Sequence, residues 1–118
     1  MSQARDGAVK EVLTDLEAAQ PGSVAGLVLR SGAFFAGRAP AAVNREVYAA
    51  MVAAMLGASE SATSDLAADV QVVQARTKSA VLCTAPVGRK LVLVLYAVGN
   101  VDPSAHVTAA AQRLAPLF

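Results

Sequence analysis

Few side chains in this sequence could do chemistry. There is one cysteine, Cys83, and one histidine, His106. A catalytic thiolate needs a base within hydrogen-bond reach. Cys83 falls in the middle of an apolar run and His106 near the start of the final segment, so Cys83 reads as a small buried apolar residue and His106 as a surface residue. A zinc site needs three or four ligands from Cys, His and carboxylates, and the supply is too thin. Gly88-Arg89-Lys90 has part of a phosphate loop. A P-loop requires G-x-x-x-x-G-K-S/T between a strand and a helix. This run lies between two expected strands, so it reads as a hairpin turn with a solvated basic tip. Glu60 and Asp65 are five apart, off the spacing that brings helical side chains together, and read as the polar end of a helix; Asp65 and Asp69 have no matched acid. Met51 and Met55 are four apart; methionine suits adaptable binding surfaces, and here the pair reads as core or dimer packing. No catalytic residue, metal or cofactor is expected.

The bulk composition points to a binding role. The 118 residues suit one domain, 1–118. Apolar residues make up 55% and charged residues 16% of the chain, against about 25% charged in ordinary globular proteins. So little charge favours burial against a partner. The net charge of +1 gives no electrostatic case for nucleic acid or an anionic membrane. The segment "MSQARDGAVKEV" lacks the apolar core of a signal peptide. The uncharged runs 47–58 and 91–101 fall well short of the roughly 18 residues a membrane span needs. These features lead us to expect a cytoplasmic protein that does not insert into membranes.

The elements that would carry a binding surface follow from periodicity. Val9, Val12, Leu13 and Leu16 form one stripe of a helix over 2–19, which Pro21-Gly22 ends. Residues 24–29 and 33–36 read as strands joined by Arg30-Ser31-Gly32. A second helix is expected over 41–66, with Asn44 as its cap or Pro40 in its first turn. Its middle, "VYAAMVAAMLGA", carries no charge on any face, and Gly57 within it suggests a kink or a close backbone contact. Strands are expected over 69–75, 80–87 and 91–98, with Pro86 near a sheet end and the unbroken "LVLVLYAV" at the sheet centre. Asp102-Pro103 starts a last helix, on which Val107, Ala111 and Leu114 share a face. The order is α-β-β-α-β-β-β-α, an α/β (α+β) fold. Its five-stranded, mostly antiparallel sheet carries the first and third helices on one face and the second on the other. The second helix is apolar on its outer side too, so a second copy or another protein should cover it.

This order resembles the roadblock family, longin-like domains named after a dynein light chain. "VAGLVLRSGAFFAG" is similar to the family's first hairpin, and the uncharged helix over 41–66 to its central helix. "GRKLVLVLYAVGNVDPSAHVTAAAQRL" is similar to its last strand, turn and final helix. The resemblance implies a dimer with itself or a roadblock paralogue, central helices packed together and third strands paired into one ten-stranded sheet. On this sequence the helix contacts would be Val47, Tyr48, Met51, Val52, Met55 and Leu56. The pairing strand would be 70–74, with Val70, Val72 and Gln74. The implied partner is a small Ras-like GTPase, whose nucleotide cycle the homodimer would regulate or activate. A structural adaptor of the same fold, with no effect on hydrolysis, is the alternative. Arg30, Arg38 and Arg45 are the candidate GTPase contacts, because an arginine supplied in trans stabilises charge on a transferring phosphoryl group. A small-ligand sensor of related topology would need a hollow core with convergent polar groups, which "LVLVLYAV" and "VAGLVLR" hardly offer.

Overall fold

A computed structural model of the chain describes residues 3–66 and 69–118. The element order is α1 (Gln3–Ala19), β1 (Ser23–Leu29), β2 (Phe34–Gly37), α2 (Arg45–Thr63), β3 (Val73–Arg76), β4 (Ala80–Val87), β5 (Leu91–Val98) and α3 (Ser104–Leu114), with a 3-10 turn over Ala115–Leu117. The five strands lie in the order β2-β1-β5-β4-β3, and every neighbouring pair is antiparallel. This is the expected mixed α/β architecture.

β5 takes the centre because both of its faces are apolar. Leu91, Leu93 and Leu95 point into one cluster with Val9, Val12, Leu13 and Leu16 of α1 and Val107, Ala110 and Leu114 of α3. Val92 and Val94 point the other way, into a smaller cluster with Val28 and with Ala49, Val52 and Leu56 of α2. The strand alternation of side chains thus divides one uninterrupted apolar run between two cores. Pro86 lies past Thr84, where β3 stops pairing, and one residue from the β4–β5 turn. Its missing N–H costs little there.

Several boundaries differ from expectation. Residue 2 of the first expected helix lies outside the described residues. α2 begins at Arg45 rather than 41, because Val43 N donates to Pro40 O (3.2 Å) in a turn. Asn44 then caps the helix, its Oδ1 accepting from Val47 N at 3.1 Å. α2 ends at Thr63, three residues early. A Cβ on Gly57 would meet nothing within 4 Å, so no close contact explains that glycine. α3 starts one residue late, with Pro103 at its N-cap, and Asp102 Oδ1 accepts from Ser104 N at 3.1 Å. β3 is the largest departure. It joins β4 only from Val73, and the apolar residues before it lie outside the ladder. β2 slips by one residue because Phe35 is an extra residue in a β-bulge: Leu27 pairs with Ala36 and Val28 with Phe34. No described helix is long and apolar enough to cross a membrane.

Candidate functional site

The outer face of α2 leaves large apolar side chains uncovered. Val47 is 57% exposed and Met51 62% exposed, with Ala54 and Ala58 exposed one and two turns further on. Met55 is half-buried beside them. Large apolar side chains at this spacing form a continuous stripe on one helix face. Four of the six helix residues expected at a contact therefore divide cleanly. Val47 and Met51 face outward, whereas Val52 (1% exposed) and Leu56 (0%) lie against β1 and β5. This corrects the expectation for Val52 and Leu56. They are four apart, on the side of the helix that faces the sheet, so they belong to the fold's own core and cannot also be offered outward. Tyr48 is half-buried against the same cluster. Its hydroxyl has no hydrogen-bond partner among the described residues, and burial, with the Tyr96 hydroxyl adding to it, pushes its ionisation well above the ordinary value.

The expected pairing strand is shorter than the sequence suggests. Val70 packs toward the α2 cluster and Val72 toward the α1/α3 cluster, both ahead of the strand proper. Gln74 sits within β3 opposite Cys83. Its side chain turns toward α3, where Nε2 donates to Asp102 Oδ1 at 3.1 Å. Arg76 donates from the same strand to Val101 O at 2.8 Å. Hydrogen bonds from Ser104 first and then Gln74, with the nearby Arg76 charge adding a little, hold the Asp102 carboxyl below the usual carboxylate range.

The three candidate arginines do not form a cluster. Arg30, just after β1, makes a two-pronged pair with Glu60 near the end of α2. Arg38, after β2, pairs with Glu17 of α1 at 3.0 Å on the opposite face of the sheet. The Arg45 guanidinium lies 4.8 Å from the centre of the Phe34 ring. Each has a partner within the chain. Cys83 is fully buried on β4, and burial, foremost among its causes, pushes its thiol up to about 12. His106 is exposed on α3. Among the described residues, no group of three or more His, Cys, Asp or Glu could hold a metal ion.

Two features had no clear signal in the sequence. The Arg30–Glu60 pair joins residues thirty apart. The bulge at Phe35 turns its ring to the rim of the sheet, where it meets Phe118 edge-on at 5.7 Å. The doublet Phe34-Phe35 is the one clue, because two large adjacent apolar residues break strand alternation. Beneath Phe35, a cleft of about 620 Å³ opens between α1 and β2, floored by Val9, Leu13 and Ala25.

Comparison with known proteins bears on this geometry. The Roadblock/LC7 domain model matches residues 8–97. The structure of gliding protein MglB from Thermus thermophilus superposes with a TM-score of 0.86 at 22% identity, over 99% of this chain and 93% of that one. A Roadblock/LC7 domain from Streptomyces avermitilis gives a TM-score of 0.77 at 17% identity, over 90% and 93%. Myxococcus xanthus MglB gives 0.83 at 15%, over 100% and 92%. Another MglB structure, described as having a tetrameric arrangement, gives 0.85 at 22%, over 99% and 92%. At these identities the likeness carries the fold. A search of curated proteins finds no match.

Proposed function

This chain belongs to the Roadblock/LC7 domain family, and on that premise we propose that it is a non-catalytic, dimeric binding module for a small Ras-like GTPase. The observation that carries the proposal is the outer face of α2. Val47 and Met51 stand in water on a fold whose two cores are otherwise well closed. A second copy, or a roadblock paralogue, would cover that stripe, with α2 against α2 and the β3 edges joined. The tetrameric arrangement of the MglB relative supports self-association. The GTPase partner comes from the family resemblance, and the cytoplasm as its setting from the composition and uncharged runs of the sequence. The three arginines contribute through surface charge, because each already has a partner within the chain. The role is regulation by contact, with no chemical group supplied to the reaction.

The test is affinity capture with this protein as bait, in the presence of a GTP analogue or GDP, followed by mass spectrometry. A small GTPase retained only with the GTP analogue, and again when purified, supports the proposal. Equal retention in both states argues against regulation. A reproducible kinase or scaffold with no GTPase favours the adaptor role.

A further inference from the structure

The grip of α2 on the sheet is uneven along its length. Of its 19 residues only Ala49, Val52 and Leu56 are buried. Beyond Leu56 the helix reads Gly57, Ala58, Ser59, Glu60, Ser61, Ala62, Thr63, with no large apolar side chain to anchor it. The Ser59 hydroxyl donates to Met55 O at 2.9 Å and the Thr63 hydroxyl to Ser59 O at 2.8 Å. Such back-bonding slightly weakens a helix. The last turn holds no basic residue, while Glu60 places a negative charge near the helix's negative end. This segment lacks stability of its own.

The β1–β2 hairpin supplies what is missing. Besides the core packing of Val28 against α2, it meets the helix at three places along its length: Phe34 under Arg45, Gly32 beside Ala50, and Arg30 on Glu60. A Cβ on Gly32 would lie 3.4 Å from Ala50 Cα, so the hairpin tip rests directly on the helix. From residue 45 to residue 60 these contacts span about 22 Å of helix at about 1.5 Å per residue. The Arg30 fork meets both oxygens of the Glu60 carboxylate, one at 3.1 Å, and the two side chains are only 30% and 33% exposed. The turn end of the hairpin is itself held to the sheet, with Arg30 N donating to Lys90 O at 2.8 Å. We propose that the β1–β2 hairpin clamps α2, and that Arg30 is a positioning residue that sets the pitch of the exposed Val47–Met51 face through Glu60. Its guanidinium supplies the cation that the C-terminal end of α2 lacks. The link to docking rests on reading α2 as the contact surface.

Three proteins decide the matter: wild type, Arg30→Gln, and the double exchange Arg30→Glu with Glu60→Arg. Amide hydrogen exchange is followed across the chain, with self-association by analytical ultracentrifugation. In Arg30→Gln, exchange over residues 56–63 should rise about three- to tenfold, as expected for a half-buried charged pair, with α1 and α3 unchanged. Self-association should weaken by a similar factor, and the double exchange should restore both. Unchanged exchange over 56–63 overturns the clamp. So does acceleration spread evenly over α1 and α3, which marks Arg30 as a general stabiliser. Faster exchange with undiminished association overturns the link to the docking face. A wild type that stays monomeric at every concentration removes the dimer reading alone, and the exchange comparison still judges the clamp.

Discussion

Glu17 of α1 occupies the ladder position opposite Ala25 that a strand residue would ordinarily fill. Arg38 N donates to Ala25 O at 2.9 Å, yet Ala25 N donates to Glu17 Oε2 at 2.8 Å. The same oxygen accepts from Arg38 Nε at 3.2 Å. One side chain thus closes the edge of the sheet where β2 turns away at Gly37, whose φ is +85°.

Glu17→Ala should lower unfolding free energy by about 1–3 kcal/mol, because it strands the N–H of a buried residue. Urea denaturation followed by circular dichroism measures it. A loss within error of zero would mean that water satisfies Ala25 equally well.

Gly37 and Gly57 should respond in opposite directions. A Cβ on Gly37 would sit 2.6 Å from Ala25 O, at a positive φ that by itself costs about 1–3 kcal/mol. Gly57 has open space around it in mid-helix, so Gly57→Ala should stabilise by about 0.5–1 kcal/mol. Thermal melts of the two variants should therefore move apart on either side of wild type.

Met51→Glu and Leu56→Ala separate association from folding. Met51 is exposed, so its charge should leave the single chain folded and, buried in a helix pair, abolish association. Light scattering should show a monomer whose circular dichroism is unchanged. Leu56→Ala should cost about 2–5 kcal/mol of stability through a cavity in the smaller core. A Met51→Glu protein that remains a folded dimer would remove α2 from the interface.

The Cys83 thiol has its folded ionisation raised from 9.0 to about 12. Its contribution to stability is therefore complete below pH 9 and declines between about 9 and 12, by at most about 1.36 kcal/mol per pH unit. Cys83→Val should flatten stability across that window. At pH 8 a disulfide reagent should modify the native protein only as fast as it opens. Immediate labelling would contradict the burial.

Local sequence carried most of the fold. Eight apolar residues without a break place β5 at the centre, and the strand expected over 80–87, ahead of the turn Gly88-Arg89-Lys90, matches β4 to the residue. Long-range geometry limited the rest. Val70 and Val72 have strand propensity, but whether they join a ladder depends on where β4 runs. Val52 and Leu56 could be told from Val47 and Met51 only once the sheet fixed which side of α2 was inside. The Arg30–Glu60 and Glu17–Ala25 contacts join residues thirty and eight apart, and no spacing rule marks them.

The strand order also bears on how the chain reaches this state. The β1–β2 and β4–β5 hairpins each close over a short turn, and either can form early from neighbouring residues. The seam between them, β1 on β5, pairs Ser23 with Ala97 and Leu29 with Leu91. Closing it brings together residues more than sixty positions apart, an entropic cost that must be met before the central strand is covered. On the ribosome, β1 emerges well before its partner exists. Until β5 is made, the half-built molecule is a hairpin, the amphipathic α1 and the largely apolar α2 with no central strand to lie on, and in that interval the chain most needs protection from aggregation.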